Sequence, residues 1–349
     1  VVFSPNATMS LTGNIDLRGV ATLNGRDAGR TLVINSAISG AGGWNVTSSG
    51  TGIGEVRLGS GNNTYTGSTV VSTSGLLTQG AANSLSAASV TTVNGTLQLS
   101  GFNGSVAALN GTGTVENGGA APATLTVGSA TDGDFDGVVQ DGGSGALGVV
   151  KTGSSTQDLA SVDISGNLDV NGGTLNLGTV TNAGDIGVSG GSTLAVSGTT
   201  DAGAVAVSNG TATLNGDATV GSVSVASGSQ ASLLGNSNST GAIATSGTFV
   251  AQGNTSVDGN LSISGGTATM GTPGGSVDVL NGDVSINGAA SATIDDLDTT
   301  GGTGGAVTVS GAGTTASLNG VDTGDDDITV SDGTVDITDF AATTGDLEV

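Results

Sequence analysis

Glycines recur at a near-constant step through the middle of this chain: Gly173, Gly191, Gly210, Gly228, Gly247 and Gly266 follow one another at about 18–19 residues. Each sits in the same phrase. Leu168 and Val170 precede Gly173, and Leu175 and Leu177 follow it. Val205 and Val207 precede Gly210, before Ala212 and Leu214; Leu261 and Ile263 precede Gly266, before Ala268 and Met270. A fixed step of this size is the rung of a solenoid, which grows by adding turns and not by enlarging one core.

Within the phrase, apolar and small polar residues alternate with the period of a strand. Glycine between two such strands lets the chain bend, because it accepts positive φ. A meander of antiparallel hairpins is the rival arrangement, since Asn-Gly turns favour hairpins. Most turns here exceed two residues, and the same residue types recur at each position of the period, which suits parallel coils stacked in register. The expected fold is therefore all-β, a parallel β-helix with rungs of about 18–22 residues. With 17 to 18 rungs at roughly 4.8 Å each, the rod would be on the order of 80 Å long. Residues 1–165 form the irregular part and 166–349 the regular acidic array, read as one continuous rod. The step loosens after residue 271, which predicts longer turns on one face.

Composition narrows the functional classes. The 66 glycines show no three-residue period, which excludes collagen. Regularly spaced Val, Leu and Ile argue against disorder. The net charge is −24, and the five bases are Arg18, Arg26, Arg30, Arg57 and Lys151. Beyond Lys151 the chain holds 21 acids and no base. Such a surface is a poor partner for nucleic acid or an anionic membrane, both of which recruit Lys and Arg. Cations are the natural small partners, although charge of this kind also keeps strand-rich chains soluble. There is no Cys and no His, which removes catalysis and zinc binding by those residues. No apolar run reaches membrane-spanning length. Val1-Val2-Phe3 opens no signal peptide, and the chain reads as processed or as a piece of a longer one. Trp44, the lone tryptophan, lies beside a glycine-rich turn; it could be a contact point but is read as covering one edge of the core.

The stretch from Leu58 to Gly80 carries Asn63-Thr64-Tyr65-Thr66-Gly67, followed by Val70, Gly75 and Leu77. It resembles the autotransporter-associated β-strand repeat of bacterial passenger domains. Phe135 to Gly153 is similar to the phrase that often precedes such repeats, but Ser155-Thr156-Gln157-Asp158-Leu159 stands where another Asn-Thr-Tyr-Thr-Gly would follow. The resemblance covers about a fifth of the chain and is specific for architecture, not for any activity. It implies a right-handed parallel β-helix that reaches the exterior through a C-terminal membrane barrel. The terminal Gly345-Asp346-Leu347-Glu348-Val349 offers no barrel strand.

Three acidic stretches are candidate sites. Asp132-Gly133-Asp134-Phe135-Asp136-Gly137 has the D-x-D-x-D-G spacing of calcium loops, in which alternate carboxylates converge on one hard cation. Gly143 stands where an EF-hand places its Glu, and the flanks are strands, so repeat variation on a solvated turn is the competing reading. Asp132, Asp134 and Asp136 are the metal candidates, with calcium as the only cofactor considered. Asp295, Asp296 and Asp298, and Asp322 with Asp325, Asp326 and Asp327, form weaker acidic turns. Asp295 and Asp296 are the nominees for two-carboxylate hydrolysis of a polysaccharide. Elimination chemistry would need the Lys or Arg that the array lacks.

The expected function is a non-enzymatic extracellular or cell-surface protein, a rod-like spacer or adhesin. A self-assembling subunit of a filament or surface layer is the alternative, and a carbohydrate-active enzyme a remote second. Expected partners are copies of the chain or a host or matrix surface, with no nucleic acid and no membrane insertion.

Overall fold

A computed structural model describes residues 8–25, 27–128, 130–271, 274–302, 305–341 and 346–348. Val1–Phe3, Arg26, Gly345 and Val349 lie outside the described residues. The chain divides into two compact units, Val1–Gly178 and Thr179–Val349. Each is a parallel β-solenoid, and the described residues contain no helix.

One coil of the second unit illustrates the architecture. Strand Thr248–Ala251 lies on one face, Thr255–Val257 on the next and Leu261–Ile263 on a third. Thr267–Met270 then returns to the first of these faces and pairs in parallel with Thr248–Ala251, one coil on. The other two faces repeat the pattern, Thr255–Val257 pairing with Val277–Val279 and Leu261–Ile263 with Val284–Ile286, both parallel. Hairpins are thereby replaced by stacked coils, as in-register recurrence of residue types requires.

The first unit is built likewise. Thr8–Leu11, Thr31–Ile34, Glu55–Leu58, Leu76–Gln79 and Thr96–Gln98 pair in parallel succession on one face. Ala21–Asn24, Trp44–Thr47, Thr69–Val71, Val90–Val93 and Ala108–Asn110 do so on another.

The two-residue alternation sorts side chains at every rung. In Ala123–Gly128 the residues Ala123, Leu125 and Val127 are buried, and their neighbours are half-exposed. The interior is narrow, which accounts for Val, Leu, Ile and Ala filling it.

The step differs along the chain. Thr96 is followed on its face by Thr114, whereas Thr267 is followed only by Ser291 and Trp44 only by Thr69. The longer steps exceed the expected rung because corners, not strands, absorb the additional residues. Three residues separate Ala251 from Thr255, whereas six separate Met270 from Val277. The corners before Val307 and before Ile328 are also long, so the loosening after residue 271 is not confined to one side of the coil.

Positive φ explains only part of the glycine period. Gly173 and Gly266 both have φ of +67°. Gly247 does not adopt positive φ; there, a Cβ would lie 2.4 Å from the carbonyl oxygen of Ala226 in the coil before. Close stacking of corners, not backbone handedness, demands glycine at that rung.

Candidate functional site

The stretch that resembles the passenger repeat forms a buried polar brace across three coils. Trp44 is 1% exposed and belongs to the core, so it is not a surface contact. Its ring meets Tyr65 edge-on, with centroids 5.2 Å apart and planes at 68°. The indole Nε1–H donates to Thr69 Oγ1 at 3.1 Å, and Tyr65 Oη lies 2.8 Å from the same oxygen. Ser89 Oγ, 3.0 Å from Thr69 Oγ1, donates to the Gly67 carbonyl at 2.8 Å. With its proton engaged there, Ser89 accepts from Thr69, and Thr69 accepts from both Trp44 and Tyr65. Burial pushes the Tyr65 phenol pKa upward, which keeps it protonated as a donor.

Asn63 braces the neighbouring face. Its Oδ1 accepts from the Ile38 N–H at 2.8 Å, and its Nδ2 donates to Ser84 O at 2.6 Å and Ser60 O at 3.2 Å. One side chain therefore ties its own coil to the coils before and after it.

The D-x-D-x-D-G pattern lies largely on a strand, Gly133–Gln140, and not in a curled loop. Asp134 and Asp136 point outward, and Phe135 between them is fully buried. Alternate residues on extended chain stand about 6.6 Å apart, a spacing that spreads carboxylates instead of gathering them. Asp132 Oδ1 accepts the Thr156 N–H of the next coil at 2.8 Å. Among the described residues, no group of three or more acidic side chains is placed to hold a metal ion.

The glycines of this pattern have packing roles. A Cβ on Gly133 would lie 2.2 Å from Gln157 Oε1, and one on Gly137 would lie 2.0 Å from the Gly113 carbonyl oxygen. Gln157 passes Gly133 and reaches Leu109, whose N–H it accepts at 3.0 Å and whose carbonyl it bonds at 2.8 Å. Thus the segment that departs from the repeat still braces the coils, with Gln in place of the Asn and Tyr.

Asp132 exemplifies a rule at the corners. Asp217 Oδ1 accepts the Asn236 N–H at 2.9 Å, Asn236 Oδ1 that of Asn254 at 3.1 Å, and Asn254 Oδ1 that of Ser276 at 3.2 Å. Each Asx side chain satisfies a corner amide one coil further on, where strand pairing has stopped.

The remaining acids are arranged more openly. Asp298 takes the Thr300 N–H and hydroxyl at 2.8 and 2.7 Å, and Asp295 accepts from Asn319 Nδ2 at 3.3 Å. Asp296 has φ of +51° at a corner. Asp278, Asp298 and Asp322 stand in register on successive coils. Burial, then the charges of Asp298 and Asp296, push the Asp278 carboxyl pKa upward. Asp322, Asp325 and Asp326 line a shallow hollow of about 570 Å³ with Thr299 and Thr323, and Asp327 Oδ1 accepts the Asp346 N–H at 2.8 Å.

Lys151 is the feature that sequence reasoning missed. It is fully buried, and its ammonium donates to Thr152 O at 2.7 Å and Gly172 O at 3.4 Å. The alternation around Val149 carried the signal, because it sets Lys151 on the inward side. Burial lowers its pKa, opposed by the charge of Asp132. Its folded pKa lies below the unfolded one, so the unfolded chain binds more protons between the two values and stability rises with pH there. Titration of Tyr65 works the other way at high pH. Lys151→Met is therefore expected to melt higher than the parent at neutral pH, with the difference shrinking as pH rises through that window. A pH-independent difference in melting temperature would sink this account.

The chain matches no protein family, no curated protein and no solved structure.

Proposed function

We propose that this chain is a non-enzymatic extracellular protein of the bacterial surface, a spacer or adhesin of the autotransporter-passenger kind. The observation that carries this reading is the engagement of its distinctive polar side chains. Asn63, Tyr65, Thr69 and Gln157 are buried and bond between coils, and Asp132 bonds to the coil that follows it. Side chains engaged in this way make a stiff scaffold. The excess of acids keeps such a scaffold soluble and stops lateral association of its strands. In this reading no cation is required, and a chelator is expected to leave the melting temperature unchanged.

Assembly with further copies is a second reading. The test is immunolabelling of intact cells that carry the natural gene, with electron micrographs of the purified chain. Label on intact cells is expected, with discrete particles for the spacer and long fibres for the assembling subunit. Label seen only after lysis would overturn both.

A further inference from the structure

Asparagine followed by glycine can rearrange without an enzyme, because glycine has no Cβ to shield its nitrogen from the asparagine side chain. The sequence holds eleven such pairs. In ten of them the asparagine is engaged. Asn94, Asn103 and Asn110 accept a corner N–H of a later coil. Asn117 donates from inside the core, and Asn171 also has a further partner. The other five donate from Nδ2, as Asn287 does to Ser285 Oγ at 3.0 Å. Asn209 is the exception. Among the described residues its side chain has no hydrogen bond, although its backbone N–H donates to Ser229 Oγ at 2.7 Å.

The stacking explains the exception. Pairing with the coil before shifts register at this corner, so that Gly190 and Gly191 together stand opposite Asn209. Both glycines have positive φ, as Asn209 does at +62°. A Cβ on Gly191 would meet nothing within 4 Å, and the same holds for Gly228 at the corner of the coil after. Glycines with open space beside them therefore flank Asn209 in both neighbouring coils, and Asn209 itself is exposed. Its side chain turns without breaking a bond, whereas the others first have to give up a partner.

We propose that Asn209 is a site of spontaneous covalent modification, converting to aspartate and isoaspartate in the folded chain. The Gly210 nitrogen gives up its proton to solvent, and its electron pair forms a bond to Asn209 Cγ. The bond from Cγ to Nδ2 breaks, and ammonia leaves with a proton taken back from solvent. The succinimide so formed takes up one water. Rupture of the new Cγ–N bond gives aspartate. Rupture of the original peptide C–N bond gives isoaspartate, whose backbone runs through Cβ and Cγ. Either product adds a negative charge to a unit whose sequence has 18 acids and no base. Isoaspartate also lengthens the backbone by one atom, at a corner, where this fold absorbs added length. The inference goes beyond the spacer or adhesin reading and does not depend on it.

The test holds the full, folded chain in mildly alkaline buffer, which promotes loss of the Gly210 proton. Cleavage before aspartate releases the peptide that runs from Asp201 to Gly216. Mass spectrometry with electron-transfer fragmentation then distinguishes Asn209 from Asn215 and isoaspartate from aspartate. Asn209 is expected to convert at least about fivefold faster than any engaged asparagine, the factor that one net hydrogen bond supplies. In urea the asparagines of all eleven pairs should convert at similar rates, because their folded partners are gone. Ser285→Ala, at a half-exposed position, removes the partner of Asn287 and should bring its conversion up toward that of Asn209. Circular dichroism melts before and after incubation check that the chain stays folded. A folded chain in which Asn209 stays intact, or converts no faster than Asn94 and Asn110, would overturn the proposal. So would an undiminished lead of Asn209 in urea, which would come from local sequence and not from the fold, or an Asn287 unchanged by Ser285→Ala.

Discussion

Replacing Trp44 with alanine is expected to cost about 4 kcal/mol of stability, the range for deleting a large buried aromatic. The site cannot collapse easily, because Trp44 stands between strand Ala21–Asn24 of one coil and Thr69–Val71 of the next, both fixed by backbone pairing. The substitution also removes the donor that Thr69 Oγ1 accepts at 3.1 Å and the ring that Tyr65 packs against. Trp44→Phe separates the two effects. It keeps an aromatic ring and loses the N–H, and should cost about 1 to 2 kcal/mol. Urea denaturation followed by circular dichroism measures both, since the only tryptophan is lost as a fluorescent reporter. Equal costs for the two variants would mean that the hydrogen bond, and not the ring, holds the coils here.

Trp44 also shows how far the sequence was legible. Its place in the core could be read from an aromatic at a glycine-rich turn, but its partners could not, because Tyr65 and Thr69 reach it only when the coils stack. The rung, the parallel pairing and the inward positions followed from a period that repeats the same residue type at the same place. The longer steps of the first unit, such as Trp44 to Thr69, escaped that reading, since corners accept insertions without disturbing the strands, whereas the loosening after residue 271 was legible. Asp132, Asp134 and Asp136 carried a spacing that two geometries share. Curled, it gathers carboxylates; extended, it alternates them with a buried Phe135, and only the pairing of Gly133–Gln140 with Thr156–Asp163 distinguishes the two. Gln157 and Lys151 were overlooked for a related reason, although the alternation around Val149 sets Lys151 inward. Polar residues at inward positions declare themselves only when their acceptors, the Leu109 and Gly172 carbonyls, arrive from other coils.

Asn63 tests whether the motif is a structural device. Asn62 has φ of +59°, a bend that breaks regular pairing next to Ile38. The backbone N–H of Thr64 still reaches Ile38 O at 2.8 Å, but the Ile38 N–H is satisfied by the Asn63 side chain. Asn63→Ala leaves that donor and the Ser84 carbonyl without their partner in a site where Asn63 is only 6% exposed. At about 1 to 3 kcal/mol for each orphaned group, a loss of about 3 kcal/mol is expected. Asn63→Asp gives a sharper signature. Its carboxylate can still accept from Ile38, but the other oxygen faces the carbonyls of Ser84 and Ser60, where a protonated hydroxyl would donate. Burial and those carbonyls raise the folded pKa of the introduced acid above its unfolded value. The stability it contributes is then fully present below the unfolded pKa and is lost as pH rises through the folded one. This variant should approach the parent in acid and fall toward Asn63→Ala at neutral pH, as followed by melts across that range. A variant that keeps the same deficit from the parent at every pH would show that the bonds to Ser84 and Ser60 do not carry the brace.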